Sequence, residues 1–468
     1  MRETPPLSES GGEYARGRWL LYSFFFILYP IHVKTYFLHI LGCAMNYADA
    51  ERIESVLAAT GWAQAADADE ADLYLFVTCS VKQKAEDKVF GFLRDLSKWK
   101  EQKPGRQVGL TGCMARLSSN RDSAKQDALL SRGASLDFVF RIEDTAQLPD
   151  LLGGELKASA PEDAEYYRRY LNLDPKRKNT FQALVPISKG CDNFCSFCIV
   201  PTTRGREISR PAEEVLAECE KAIANGAVEI SLLGQNVDSY QKSSAAFAEL
   251  LDSVAQLPGL QRLRFTSSHP KDTVEAVMDV MAANPNIERH LHFAAQHGDD
   301  EVLQKMNRGY TAAEFLEKVK LFRQKVPGAS VTTDIIIGFP GETEAAFDHL
   351  KRFYRDAAFE FAFISRYSPR PGTISAEQMT DDVPREVKAA RWNEMNEILK
   401  EITSARYAAL QGQIVNVLVE SCEAGVCAGR SSEMFLVKFP GDAALVGSIV
   451  SVKIKLPRTV ELIGELEK

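Results

Sequence analysis

From Thr35 onward, apolar positions alternate between the spacing of strands and the spacing of helices. Strand-like runs fall at 36–41, 73–78 and 107–111, with helical periodicity at about 48–60 and 81–98 between them. Strands alternating with helices predict a parallel sheet with helices on its faces. A longer series follows the same rule, with strands at 182–188, 229–233, 262–266, 291–295, 330–337 and 361–367. The matching helices are expected at about 212–225, 245–257, 272–283, 312–325, 343–356 and 384–410. Six such units predict a partial barrel related to the eight-unit form, with its chemistry at the carboxyl ends of the strands. Past Gln411 the period shortens to strands alone, at 414–420, 426–430, 434–439, 449–455 and 460–466, which predicts a small β-barrel. The expected organisation is an α/β domain over 35–157, a linker over 158–180, the partial barrel over 181–410 and the β-barrel over 411–468.

Residues 1–34 fit none of these patterns. The run 19–33 is strongly apolar, with Arg16 and Arg18 before it and Lys34 after it. It is shorter than the ~20 residues a spanning helix needs, and Pro30 interrupts it. Ile40-Leu41-Gly42-Cys43 looks like a lipoprotein cleavage site, yet His32, Lys34 and His39 stand where a signal peptide stays apolar. The segment reads as an appendage or an overcalled translation start. The 468 residues are 45% hydrophobic and 26% charged, as in ordinary globular proteins of two or three domains. A net charge of −8 excludes a uniformly basic nucleic-acid binder, so any RNA contact must be local. Arg168, Arg169, Lys176, Arg177 and Lys178 form one basic stretch, read either as a solvated face or as a phosphate contact. Nine cysteines in so long a chain are no disulfide framework and point to metal in a reducing, cytoplasmic setting. No membrane association is expected, and the chain reads as a monomer.

Three of the nine, Cys191, Cys195 and Cys198, stand at C-x3-C-x2-C just past the strand near 188. Iron–sulfur clusters are held by thiolates, normally four, so three leave one iron open to a small molecule. Zinc is the competing reading, but it needs a fourth ligand, and 199–218 contains neither His nor Cys. Phe194 and Phe197 would shield a cluster from water or simply fill core. Cys43, Cys79 and Cys113 each stand at or just past the end of one of the first three strands. Carboxyl ends of parallel strands share one edge of the sheet, so these three should converge into a second trio. Each alone could be a buried apolar residue, the usual fate of a free cysteine; the threefold recurrence speaks against that. Cys219, Cys422 and Cys427 read as packing residues. At the strand ends of the partial barrel lie 234–238, 267–270, Gln296, Asp334 with 338–342, and Arg366. Singly these are turn chemistry; together they make one polar face above the cysteine loop.

The string from Lys189 through Cys198, with its interleaved aromatics, resembles the radical S-adenosylmethionine superfamily. Its extension through Pro201-Thr202-Thr203-Arg204-Gly205-Arg206-Glu207-Ile208-Ser209-Arg210-Pro211 resembles the methylthiotransferase branch. The contexts Gly42-Cys43-Ala44-Met45-Asn46, Thr78-Cys79-Ser80 and Gly112-Cys113-Met114-Ala115 are similar to that branch's amino-terminal domain. The resemblance implies two [4Fe-4S] clusters. One, on Cys191, Cys195 and Cys198, would bind S-adenosylmethionine through its amino and carboxylate groups and cleave it to a 5′-deoxyadenosyl radical. The auxiliary one, on Cys43, Cys79 and Cys113, would carry or supply sulfur. Gln235, Asn236, Ser268 and Asp334 would contact S-adenosylmethionine and substrate. Gln235-Asn236-Val237 is most similar to the tRNA-modifying MiaB type, whose substrate is N6-isopentenyladenosine beside the anticodon. The branches acting on threonylcarbamoyl-adenosine or on a ribosomal-protein aspartate stay open, as do a non-catalytic iron–sulfur carrier and an RNA-binding protein with a structural metal. One departure concerns a loop usually of the Pro-Val-Gln-Ser-Gly-Ser type, here Ala294-Ala295-Gln296-His297-Gly298-Asp299. The terminal barrel resembles the TRAM module. Residues 411–468 carry six basic and seven acidic side chains, so RNA binding there rests on the resemblance, with Phe435, Lys438 and Arg458 as its candidate contacts. tRNA, S-adenosylmethionine and an electron donor are the implied partners.

Overall fold

The computed structural model describes residues 33–80, 83–118, 135–154 and 164–467; the amino-terminal apolar run, but for its last residue, lies outside them. Among the described residues no helix is long and apolar enough to cross a membrane.

The first sheet is parallel throughout and has five strands: β1 Thr35–Leu41, β2 Ala63–Gln64, β3 Leu73–Thr78, β4 Gln107–Gly112 and β5 Phe138–Val139, in the order β2-β1-β3-β4-β5. β3 is buried on both faces, as a central parallel strand covered by helices should be. β2 and β5 are two residues each, too short to leave a periodic signal. The helix Ala44–Ala59 starts four residues before the apolar pattern does, because the Asn46 side chain accepts the Cys43 N–H at 3.2 Å and starts the turn there. The second helix, Gln83–Gln102 among the described residues, runs four residues past its expected end. Within the stretch read as a linker, the helix Ala164–Leu171 buries Tyr170 and Leu171 in this domain's core. Its basic run is also engaged: Arg177 pairs with Glu218 at 2.7 Å and Lys178 with Glu54 at 2.7 Å.

The partial barrel comprises β6 Gln182–Pro186, a short hairpin of β7 Ser188–Lys189 with β8 Ile208–Ser209, then β9 Glu229–Leu233, β10 Arg262–Phe265, β11 His290–His292, β12 Ser330–Ile337 and β13 Phe361–Arg366. Parallel ladders β6-β9-β10 and β11-β12-β13 are joined by the bridges Leu263↔Ile287 and Ser268↔Phe293 into one arc in chain order. Alternation divides each strand. Val331, Ile335 and Ile337 face the helices in the main core, while Thr332 and Asp334 face inward. β11 ends three residues sooner than its apolar run suggests, and just beyond that run Gln296 turns the backbone with φ 71.

The last five strands, β14 Ile414–Glu423, β15 Val426–Ser431, β16 Leu436–Pro440, β17 Ile449–Pro457 and β18 Leu462–Leu466, close into a barrel. It sits at the amino-terminal end of the arc. Arg262 Nη1 donates to Arg430 O at 2.8 Å, Arg264 Nη2 to Ser431 O at 3.3 Å, and Ser330 Oγ to Glu433 O at 2.7 Å. Beneath these bonds Arg262 and Arg264 are neutralised by Glu288 and Glu229 at 2.5 and 2.7 Å. The structure overturns one expectation here. Phe435 is only 8% exposed, with its ring edge-on to Tyr407 at 5.1 Å, so it fills the barrel core and offers no surface for a base. Lys438 and Arg458 remain partly exposed, both paired with Glu461, at 2.7 and 3.1 Å.

Candidate functional site

The hairpin β7–β8 draws 190–207 into a closed loop by pairing Ser188 with Ser209 and Lys189 with Ile208. Gly190 begins it at φ 77, where a Cβ would stand 2.1 Å from Arg206 O, so only glycine fits. Its N–H donates to Gln235 Oε1 at 2.6 Å. The loop then folds over the end of the arc. Ser196 N–H reaches Met306 O at 3.0 Å, and Cys198 N–H returns to Cys195 O at 2.9 Å. Phe197 is half-buried, edge-on against Phe339 at 6.4 Å, whereas Phe194 is 38% exposed beneath the Arg206 guanidinium, so neither expected shield is fully buried.

Cys195 receives Arg308 Nη1 at 3.2 Å and faces His269 Nε2 at 3.8 Å. His269 Nδ1 accepts from Lys271 N, so its proton is on Nε2, toward the sulfur. Burial, with Arg308 and Lys271 beside it, pushes that imidazole down to about 2, so it is a neutral donor. Burial also pushes the Cys191 and Cys198 thiols up to about 11 and about 12, with charge at Cys195 adding to both. Thiols that resist ionising, as Cys191 and Cys198 do, are what a cationic iron centre would relieve, since ligands bind as thiolates. Among the described residues no three His, Cys, Asp or Glu side chains are grouped as for a single metal ion.

The second trio stands where strand order puts it. Leu41, Thr78 and Gly112 lie side by side in register, and Cys43, Cys79 and Cys113 follow them. Gly112 has φ 91 with Thr78 O 2.4 Å from where a Cβ would be, so β4 turns tightly into Cys113. Hydrogen bonding to Cys79, with the Arg204 charge nearby, pulls the buried Cys113 thiol down to about 6. Cys43 is the exposed member, held beside β3 because Asn46 Nδ2 donates to Thr78 O at 3.0 Å.

Arg204 links the trios. Its Nε donates to Cys113 Sγ at 3.3 Å, and its Nη2 pairs with buried Asp49 at 2.7 Å. Arg204 lies six residues past Cys198, at the end of the turn Val200–Thr203. Six residues span at most ~20 Å when extended, so Arg204 ties the loop of the first trio to Cys113 of the second. From the loop after β13, Arg370 reaches Ser80 O beside Cys79 and Glu86 Oε1 at 2.6 Å. Local spacing gives no sign of Arg204 or Arg308; only the fold brings them to sulfur.

The polar face is gathered around the same loop. Asn236 Nδ2 and Asn193 Nδ2 share Asp272 Oδ2 at 2.7 and 3.0 Å. Asn236 Oδ1 and Asp238 Oδ1 are buried without a partner, and Ser268 Oγ lies beside Asp238 without a well-formed bond. Burial pushes the Asp238 carboxyl up to about 7. Orphaned acceptors at the cluster loop suit a donor-rich ligand such as the ammonium end of S-adenosylmethionine. Gln235, by contrast, uses its carbonyl to shape the loop. Asp334 stands apart on the inner wall of the arc, with Oδ2 3.1 Å from His292 Nε2. The departing loop builds its own contacts: His297 Nε2 meets Glu342 Oε2 at 3.1 Å, its Nδ1 accepts Asp299 N at 3.0 Å, and Asp299 caps the helix Asp300–Lys305.

The Radical SAM superfamily matches residues 185–354, and a family described as uncharacterized protein family UPF0004 matches residues 35–131. The solved structure of the radical S-adenosylmethionine methyltransferase TsrM from Kitasatospora setae, with cobalamin and [4Fe-4S] cluster bound, superposes with a TM-score of 0.54 at 14% identity, covering 74% of each chain. That likeness establishes the fold, which implies a [4Fe-4S] cluster and S-adenosylmethionine. The tRNA-2-methylthio-N(6)-dimethylallyladenosine synthase of Chromobacterium violaceum is 37% identical over 447 residues, 93% of this chain and 98% of that protein. The protein of the same name from Burkholderia thailandensis is 36% identical over 93% of this chain and 96% of its own length. With identity at this level along nearly their whole length, the chain belongs to the tRNA-2-methylthio-N(6)-dimethylallyladenosine synthase family of radical S-adenosylmethionine methylthiotransferases.

Proposed function

We propose that this chain places a methylthio group on C2 of N6-dimethylallyladenosine in tRNA, with Cys191, Cys195 and Cys198 holding one [4Fe-4S] cluster and Cys43, Cys79 and Cys113 a second. The observation that carries the two-cluster reading is Arg204, which runs from the loop of one trio to Cys113 of the other. The adenine C2–H bond has no acidic proton, so neither general base nor simple nucleophile suffices. The bound clusters and S-adenosylmethionine supply radical abstraction, sulfur and methyl. The protein binds, orients and excludes water. Gly190, Gln235 and the β7–β8 hairpin fix the loop, while Arg308 and His269 donate to Cys195 and orient that sulfur. Asn236 and Ser268 offer acceptors to S-adenosylmethionine, and Asp334 faces the substrate. The terminal barrel closes the amino end of the arc, and Lys438 and Arg458 are its candidate RNA contacts. The first domain takes in the helix Ala164–Leu171, and the later divisions fall at 181 and 410. The working form is a cytoplasmic monomer that takes electrons from a separate donor.

Anaerobic reconstitution should give about eight irons per chain, falling by half in Cys191→Ala and likewise in Cys113→Ala. Nucleoside mass spectrometry of tRNA from a deletion strain should show the 2-methylthio mark missing from N6-dimethylallyladenosine. Four irons in the intact chain would remove the second cluster. Loss of the mark from a threonylcarbamoyl nucleoside instead would move the substrate to another branch.

A further inference from the structure

The inner wall of the arc carries a feature that the cysteine chemistry leaves unused. Phe361 and Phe363 are 37% and 51% exposed, edge-to-face at 5.1 Å, on the inward side of β13. Register sets Phe363 beside Asp334 and Phe361 beside Thr332. Large aromatics normally find burial on folding, so an exposed pair inside a concave sheet marks a surface that a ligand covers.

The polar neighbour is fixed by a directed chain. His290 Nε2 lies 2.8 Å from Thr332 Oγ1, Thr332 Oγ1 lies 2.9 Å from His292 Nδ1, and His292 Nε2 lies 3.1 Å from Asp334 Oδ2. Burial keeps His290 neutral. The chain therefore occupies one Asp334 oxygen, while the side chain, 42% exposed, presents the rest of the carboxylate to the lumen. The wall also lies beside the cluster loop. Arg308, which holds Cys195, also bonds Ala294 O at 2.5 Å, and two residues on Gln296 N–H bonds Asp334 O at 2.8 Å.

We infer that Phe361, Phe363 and Asp334 form the subsite that recognises the N6 substituent of the substrate, the two rings covering the five-carbon dimethylallyl group and Asp334 accepting the N6–H. This rests on the proposed function and adds the residues that set its specificity. The pairing of one acceptor with an apolar wall matches a secondary amine bearing a branched hydrocarbon. A threonylcarbamoyl group would instead bring a carboxylate against Asp334 and polar atoms against the rings, an unpaired like-charge contact that disfavours it.

The test measures binding of anticodon stem-loop RNAs to the reconstituted full-length protein with S-adenosylmethionine. The RNAs carry adenosine, N6-dimethylallyladenosine or N6-threonylcarbamoyladenosine at one position. The intact protein should prefer the dimethylallyl RNA over the adenosine RNA by about tenfold or more, the scale of an apolar pocket's discrimination. Phe363→Ala should shrink that preference to about threefold or less without weakening the adenosine RNA, and Phe363→Leu should restore most of it. Asp334→Asn should tighten the threonylcarbamoyl RNA. An unchanged preference in Phe363→Ala, or equal weakening of all three RNAs, overturns the inference. Turnover separates the two claims. If the intact protein methylthiolates the dimethylallyl RNA while Phe363→Ala keeps its preference, only the subsite fails; if it methylthiolates the threonylcarbamoyl RNA instead, the proposed function fails.

Discussion

At the scale of single residues, burial decides which side chains act as their type suggests. Asp238 is enclosed among Thr273, the His269 backbone and Ser268, and its carboxyl is pushed up to about 7 by burial. The folded state therefore keeps a proton that the unfolded chain releases near pH 4. Asp238's contribution to stability should be greatest below that value and fall as pH rises toward about 7, by up to roughly 1.4 kcal/mol per unit in between. Asp238→Asn keeps the acceptor and removes the titration. Urea unfolding of the cluster-free protein at pH 5 and pH 8 should show a smaller loss in the variant than in the parent; equal losses would mean that Asp238 is ionised in the fold. The same contrast sets the limit of sequence reading at this scale. Six cysteines could be grouped from sequence because a metal needs several of them at related positions, and the fold carries them to the loop after β7 and to the ends of β1, β3 and β4. Phe435 was misassigned because an aromatic that stacks on a base and one that fills a core look alike until burial is known. Arg204 and Arg308 were silent because a guanidinium that meets sulfur 91 or 113 residues away leaves no local spacing.

At the scale of elements, the cysteine loop depends on two strands of two residues each. The long strands of the arc were readable because alternation over five or more residues is a strong signal, and β11 was overextended at 293–295, just before Gln296 takes a left-handed turn. The β7–β8 hairpin was not readable: pairing across eighteen intervening residues depends on the glycine that starts the loop and on Gln235 from β9's end. Gly190→Ala should test this. A Cβ 2.1 Å from Arg206 O cannot be absorbed by side-chain motion, so the loop must open. Iron content after reconstitution should drop by about half, as with loss of one of two four-iron sites, while far-UV circular dichroism and the urea midpoint change little. A full complement of iron would show that the hairpin does not set the ligand geometry.

At the scale of the whole molecule, the order of three bodies could be read from the changes in period along the chain, but how the last docks on the second could not. It depends on Arg262 and Arg264, charged residues on strands where an apolar pattern hides their purpose. Both guanidiniums are buried, each has a carboxylate, and each spends further N–H groups on carbonyls of the terminal barrel. The arrangement docks the terminal barrel on the amino end of the arc, away from the cysteine loop. It also makes the interface sensitive to charge balance. Arg264→Met would leave Glu229 and Glu288 sharing Arg262 alone, which should cost about 3–5 kcal/mol, the usual penalty for breaking a buried pair from one side. Adding Glu229→Gln in the same chain removes the stranded charge and should recover a large part of that loss. Urea unfolding of the two variants measures the difference; a double variant no more stable than Arg264→Met would place the contribution of Arg264 in its carbonyl bonds to the barrel rather than in the ion pair.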